Sequence, residues 1–117
     1  MIIPKENRWL VSVTKKLVQK RLDEASEEYD LARLEVTAIR TQAQVLSKAA
    51  AEGLISGKNA EARRLETEQI KADSELLIQT KDEVETQRLL LRSRTAERRY
   101  YEDLLRVGLA IIGRANV

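Results

Sequence analysis

Residues that break helices are rare in this chain, and their positions leave two long uninterrupted blocks. Residues 5–52 and residues 58–107 contain neither proline nor glycine. The breakers that flank them are Pro4, Gly53, Gly57, Gly108 and Gly113. Both blocks are rich in Ala, Leu, Glu, Lys, Arg and Gln, the strong helix formers. Blocks of this length are typical of coiled coils and helical hairpins, because a globular protein's mean helix has only about 11–12 residues.

The segment between the blocks has the chemistry of a tight connection. Gly53 is suited to the left-handed conformation that ends many helices, and Asn59 is a good N-cap for a second helix with Glu61 in its first turn. A short connection between two long helices forces them to fold back on each other. The sequence therefore predicts a single all-α domain, a long antiparallel two-helix hairpin. Its predicted parts are a helix over about 6–52, a turn at 53–59, a helix over about 60–107 and an apolar C-terminal tail over 108–117.

Apolar residues recur along the first block at alternating steps of four and three, the heptad pattern of a coiled coil. This 3.5-residue period predicts left-handed supercoiling against a partner helix. The second block is less regular, and Thr80, Gln87, Arg94 and Arg98 share the side on which its apolar residues lie. The predicted oligomer seam comprises Val18, Leu22, Ala25, Tyr29, Ala32, Val36, Ile39, Ala43, Leu46, Leu65, Ala72, Leu76, Val84, Leu91 and Leu105.

The expected register follows from folding the chain about residue 56. Opposed residue numbers then sum to roughly 112, which places Leu46 near Leu65 and Val36 near Leu76, with a shift of several residues possible. One seam between two helices buries little apolar surface, whereas folding costs about 1–2 kcal/mol of backbone conformational entropy per residue. A second apolar stripe is formed by Leu31, Leu34, Ala38, Val45, Ile78, Leu89 and Leu90. We therefore expect a homodimer of hairpins that forms a four-helix bundle; a trimer, or a hairpin completed by another protein, is the alternative.

The charge is unevenly distributed along the chain. The first 21 residues hold six basic and one acidic residue, and residues 88–117 hold seven basic and three acidic ones. Residues 22–87 hold eight basic and fifteen acidic residues. Because an antiparallel hairpin brings both termini to one end, that end is expected to be basic. The candidate basic partner surface comprises Lys15, Lys16, Lys20, Arg21, Arg88, Arg92, Arg94, Arg98, Arg99 and Arg106.

Two interpretations of this basic surface stay open. A basic stripe at the end of a helical hairpin suits contact with the phosphates of a nucleic acid. Alternatively, it is a solvated helix face that neighbouring carboxylates balance. Arg94 and Arg98 point toward the apolar seam, where an unpaired charge costs several kcal/mol. They therefore require carboxylate partners, a bound ligand or an open end of the bundle.

Both chain ends are also apolar, which predicts either a terminal mini-core or a surface that binds another protein. The residues concerned include Trp9, Leu10, Val13, Leu17, Leu105, Val107, Leu109, Ile111 and Ile112. A protein partner at this end is the preferred interpretation among the binding roles. Nucleic acid is the alternative partner.

The composition excludes several classes of chemistry. The chain has no histidine and no cysteine, so an imidazole base, a thiolate nucleophile, a zinc site of the usual ligands and a disulfide are all impossible. It has no glycine-rich phosphate loop. We expect no enzyme activity, no cofactor and no metal. We also expect no membrane span and a cytoplasmic location, because no apolar run approaches about 18 residues and the chain does not begin with a signal peptide.

The turn sequence resembles that of small phage- and prophage-encoded helical hairpins. The residues that carry the likeness are Gly57, Lys58, Asn59, Ala60, Glu61 and Arg63. The resemblance covers about residues 29–77 and implies a phage setting, hence the host cytoplasm, but no mechanism. Small type VII-secreted hairpins share the chain length and the turn position, yet the Trp-x-Gly of their turn is missing. The sequence thus predicts a non-enzymatic, self-associating coiled-coil protein that serves as a protein-interaction or structural accessory, with a nucleic-acid-binding accessory as the alternative.

Overall fold

The structure, a computed structural model, describes residues 5–115 and consists mainly of helices. Helix α1 spans Lys5–Ala51, α2 spans Ala60–Asp73 and α3 spans Glu75–Ala115. Helices make up 92% of these residues, which include no strand. The predicted all-α class is confirmed.

The second predicted helix differs from the structure in two places. Ser74 interrupts it with extended backbone (φ −78°, ψ 109°): its N–H still bonds the Ile70 carbonyl at 3.1 Å, while its Oγ accepts from the Leu77 N–H at 3.3 Å. Ser74 therefore ends α2 and caps α3, because a serine side chain can stop a helix without glycine or proline. Helix α3 then continues beyond residue 107 to Ala115, so most of the predicted tail is helical. Residues 116–117 of that tail lie outside the described residues.

The connection between α1 and α2 has the predicted caps. Gly53 has φ +78°, and its N–H bonds the Ala50 carbonyl at 3.1 Å while the Leu54 N–H bonds the Ala49 carbonyl at 2.9 Å. These two bonds form a Schellman motif, which satisfies carbonyls at the end of α1. The predicted left-handed role of Gly53 is confirmed.

Residues of the turn sequence and of the first turns of α2 close this connection. The Asn59 Oδ1 accepts from the Ala62 N–H at 2.8 Å, as expected of an N-cap, and the Arg63 guanidinium donates to the Gly57 carbonyl at 3.1 Å. The Glu66 carboxylate accepts from the Ser56 N–H at 3.0 Å. A side chain at Gly57 would overlap the Glu66 and Ala62 side chains. These hydrogen bonds and the close packing at Gly57 fix the position at which α2 begins.

Tertiary contacts divide the chain into two units. The terminal unit contains the described residues of Met1–Tyr29 and Leu89–Val117, and the turn unit contains Asp30–Arg88. In the terminal unit, Lys16 lies over the ring of Tyr101 and Lys20 pairs with Glu97. Partner numbers fall as α1 numbers rise, so α1 and α3 are antiparallel in this unit.

The register in the terminal unit is shifted by about five residues from the expected one. Trp9 with Gly108, Lys16 with Tyr101 and Lys20 with Glu97 each sum to 117 rather than 112. The expected register would have placed Lys20 opposite Arg92 and the Trp9 indole opposite a charged side chain. The observed register places the Glu97 carboxylate beside Lys20 and packs the Trp9 indole against Gly108, which has no side chain.

Helix α1 carries two heptads on different faces. The buried or half-buried one, which we call the inner face of α1, consists of Leu10, Val13, Leu17, Lys20, Glu24, Glu27, Leu31, Leu34, Ala38, Thr41 and Val45. On α3, an equally regular set is buried or half-buried: Leu77, Thr80, Val84, Gln87, Leu91, Arg94, Arg98, Tyr101, Leu105, Gly108 and Ile112. The second stripe predicted on α1 and the predicted polar intruders of α3 thus lie on the buried faces.

Replacing Gly108 by alanine should destabilise the terminal unit by about 1–3 kcal/mol, the usual cost of overpacking. A Cβ at this position would overlap the Trp9 ring, the only tryptophan of the chain. Its fluorescence therefore reports the displacement during urea unfolding. The matched control is Gly113→Ala, where a Cβ meets nothing within 4 Å. This helical change should be neutral or stabilising by up to about 1 kcal/mol, and equal effects at both glycines would contradict the packing.

Candidate interaction surfaces

The most regular apolar heptad of the chain lies exposed on α1. Leu22 is 60% exposed, and Tyr29 and Ile39 are each 71% exposed. We call this set the outer face of α1; its members are Val18, Leu22, Ala25, Tyr29, Ala32, Val36, Ile39 and Ala43. They are the predicted seam residues of the first helix, except Leu46, which is half-buried. Contiguous exposed apolar surface of this kind usually marks an interaction site.

The outer and inner faces of α1 point in widely different directions. At 100° per residue, their mean directions differ by about 140°. A helix with one apolar face buries it and exposes polar residues elsewhere. Helix α1 is instead apolar on nearly opposite sides, so contact with α3 leaves the outer face uncovered.

The predicted seam residues beyond α1 divide between exposed and covered positions. Leu65, Ala72 and Leu76 are exposed. Val84 is buried, and Leu91 and Leu105 are half-buried on the inner side of α3. These last three are already packed within the chain and offer little to a second molecule.

A layer of charged side chains crosses the seam of the terminal unit. Arg98 Nε lies 2.8 Å from Glu24 Oε1, and Arg98 Nη1 lies 2.9 Å from Glu102 Oε2. Lys20 Nζ lies 2.8 Å from Glu97 Oε2. The requirement of Arg98 for carboxylate partners is therefore met inside the chain. Polar layers of this kind commonly fix the register of helix pairs.

Arg94 has a weaker set of partners in the same layer. Its Nη1 lies 3.4 Å from Glu97 Oε1, and its Nε is buried without a hydrogen-bond partner among the described atoms. The Arg94 guanidinium is therefore the least satisfied group in the layer.

The layer lowers the pKa of three carboxyls below their ordinary value of 4.5. Hydrogen bonds from Thr95 and from Arg98 lower the pKa of Glu24. The hydrogen bond from Lys20 lowers the pKa of Glu97, and the one from Arg98 lowers that of Glu102. In each case the charged form is favoured by a donor on a cation or a hydroxyl.

Most of the predicted basic surface is paired with carboxylates. In the terminal unit, Lys20, Arg21, Arg94, Arg98 and Arg106 have ion-pair partners, the closest for Arg21 and Arg106 being Glu102 at 3.3 Å and Asp103 at 3.0 Å. In the turn unit, Arg88 pairs with Glu85 at 2.6 Å and with Glu35 at 3.8 Å. Among the described side chains, those predicted cations without an ion pair within 4 Å are Lys15, Lys16, Arg92 and Arg99. The charge pattern of the sequence identified the basic residues, but it did not identify the carboxylates with which most of them pair.

Sequence reasoning missed a groove in the turn unit. Its volume is about 680 Å³, and Ala38, Ala72, Leu77 and Val84 supply apolar lining while Lys71 and other charged residues form part of its border. Since its lining comes from α1, α2 and α3, no local sequence pattern marks it.

No helix within residues 5–115 is long and apolar enough to cross a membrane, and the same residues include no carboxylate group arranged to hold a metal ion. No family model, curated protein or solved structure matches the chain.

Proposed function

We propose that the protein is a self-associating helical protein that serves as a protein-interaction or structural accessory, with the outer face of α1 as its assembly surface. The observation that carries the proposal is the exposure of a regular apolar heptad on this face. Such a heptad is the pattern by which helices pack against partner helices. In an isolated chain, neighbouring exposed apolar side chains at this spacing stabilise the helix by only about 0.2–0.5 kcal/mol per pair.

The extent of apolar exposure supports the proposal. Among the described residues, only Val13, Leu17, Ala49 and Val84 are buried apolar residues, against sixteen large apolar residues that are exposed. A dimer interface commonly buries about 800 Å² per partner, and these exposed apolar residues supply surface for one.

The proposed assembly is a dimer in which two copies form a four-helix assembly. The outer faces of both α1 helices meet at its centre, and each inner face keeps its contact with α3 of the same chain. A phage or prophage setting is part of the proposal and rests on the turn sequence alone. The apolar and basic ends of the chain are then free to contact a protein partner.

An Ile39→Glu variant tests this assembly. Ile39 is 71% exposed on the outer face, and burying it is worth about 1.5–3 kcal/mol per copy. The substitution should weaken the dimer at least about 100-fold, since each dimer contains two copies. Sedimentation equilibrium should give twice the 13.4 kDa chain mass for the unaltered protein and the single mass for the variant.

The matched control is Gln44→Glu, which adds the same charge at an exposed α1 position away from the outer face. It should leave the dimer intact. A monomer of the unaltered protein at micromolar concentration, or equal effects of the two variants, would contradict the proposal.

The alternative function, nucleic-acid binding, draws on the cations that lack an ion pair in the terminal unit. Arg92 and Arg99 lie within about 20° of each other on α3, at 100° per residue. Two arginines and two lysines are a small set for a phosphate-contacting surface, which depends on many such contacts. Labelled DNA that binds in low salt, and no longer binds an Arg92→Glu/Arg99→Glu variant, would favour this alternative.

A further inference from the structure

The charges beside the outer face of α1 specify how a second copy lies on it. We infer that two α1 helices pair parallel and in register through their outer faces, with Glu28 and Glu35 of each copy facing Arg33 and Arg40 of the other. The inference rests on the proposed self-association and adds the orientation, the register and the residues that select them.

The heptad fixes which positions flank the outer face. Leu22, Tyr29 and Val36 take the a positions, and Ala25 and Ile39 are among the d positions. Glu28 and Glu35 then occupy g positions, while Arg33 and Arg40 occupy e positions. In parallel two-stranded coiled coils, residues at g and at the following e of the partner form the interhelical ion pairs.

The parallel arrangement makes every flanking contact of this segment attractive. Glu28 faces Arg33 of the second copy, and Glu35 faces Arg40 of the second copy. The two-fold axis repeats both contacts. Complementary charges of this kind set orientation and partner choice more than they set raw affinity.

The antiparallel arrangement has the opposite character. Pairing centred on Ala32 would match Ala25 with Ile39 and place Leu22 one residue away from Ala43, which is acceptable in size. However, it would place Glu28 against Glu35, and Arg33 against its own copy. Like charges across an interface act against that pairing, so the charges discriminate where the apolar residues do not.

The flanking side chains are available for these contacts. Glu28 and Arg40 are exposed. Arg33 lies 3.7 Å from Asp30, and Glu35 lies 3.8 Å from Arg88. Both distances exceed the hydrogen-bond range, and exposed ion pairs of this kind contribute little to stability. Re-pairing them with a second copy therefore costs the single chain little.

Cysteine cross-linking tests the orientation, because the chain contains no cysteine of its own. In the parallel dimer, the two thiols of an Ala25→Cys variant lie opposite each other at a d position and should form a disulfide on mild oxidation. In the antiparallel dimer, the two Ala25 positions would be about 21 Å apart, 14 residues at 1.5 Å each. We expect most of the Ala25→Cys protein to run as a covalent dimer, and the Gln44→Cys control to remain uncross-linked.

The outcomes separate the orientation from the proposed function. A monomer in sedimentation equilibrium overturns self-association itself. A dimer in which Ala25→Cys fails to cross-link alone, but does so when mixed with Ile39→Cys, overturns the parallel orientation only. A dimer that cross-links in neither experiment overturns the outer face as the interface.

A charge exchange tests the flanking pairs independently. Glu35→Arg should weaken dimerisation roughly tenfold, because two attractive contacts per dimer become repulsive. Adding Arg40→Glu restores opposite charges across the interface and should recover the affinity to within about threefold. The double variant does not restore the intrachain contact with Arg88, so recovery cannot come from the fold of the single chain. Failure of the second change to rescue the first would overturn the assignment.

Discussion

Truncation of Leu17 to alanine should lower the free energy of unfolding by about 2–5 kcal/mol, the usual cost of emptying a packed leucine site. Leu17 is 4% exposed. Val13 and Leu17 are the only two buried apolar residues described on the α1 side of the seam in the terminal unit. A core this small leaves few side chains that could move into the vacated space. We therefore expect the upper part of the range.

The neighbouring residue provides the matched control. Val18 lies on the outer face of α1 and is 51% exposed, so Val18→Ala should change the stability of the single chain by no more than about 0.5 kcal/mol. Urea unfolding followed by circular dichroism measures both changes. The comparison should be made at several protein concentrations, since a dimer adds a concentration-dependent contribution. Equal costs at the two positions would refute the assignment of the inner and outer faces.

Acidification should destabilise the terminal unit through its charged layer. The folded-state pKa values of Glu24, Glu97 and Glu102 lie below the ordinary value of 4.5. Groups with a lowered pKa contribute stability that is fully present above the unfolded pKa and is lost as the pH falls through the folded one. Stability should therefore be constant from neutral pH to about pH 5.5 and fall below about pH 4.5.

A Glu24→Gln variant identifies the layer as the source of this loss. The variant keeps the size of the side chain but removes the charge that faces Arg98. It should be less stable than the unaltered protein near pH 7, and the difference in urea midpoint should shrink as the pH approaches 3. Glu83→Gln is the control, because Glu83 is exposed on α3 and outside the layer. A Glu24→Gln deficit that stays constant with pH would show that shape, not charge, is what Glu24 supplies.

Local signals in the sequence predicted much of the fold. Gly53 and Asn59 mark the connection because their backbone and side-chain chemistry act within a few residues. The same is true of the helical blocks. Ser74 shows the limit of this reasoning, since its interruption comes from a side chain capping the next helix, at a residue type that also occurs inside helices.

The choice of face on α1 could not be read from apolar periodicity alone. The outer heptad is the more apolar of the two, and a search for apolar residues selects it. The inner face contains Lys20 and Glu24, which become favourable in the seam only because Glu97 and Arg98 lie opposite. Such complementarity depends on residues more than 70 positions away, so the predicted register was shifted as well.

The interruption at Ser74 gives α2 a degree of thermodynamic independence. This 14-residue helix has no buried residue, and helices shorter than about 12–15 residues are marginal in isolation. Its amide protons should exchange with solvent through local opening, at a lower free energy than the amides of α1. The backbone hydrogen bonds of α3 begin at its own N-cap, Ser74. Local opening of α2 therefore need not spread into α3. Insertions or sequence changes should therefore be tolerated better in α2 than in α1. In α1, such changes would disturb both the inner and the outer face.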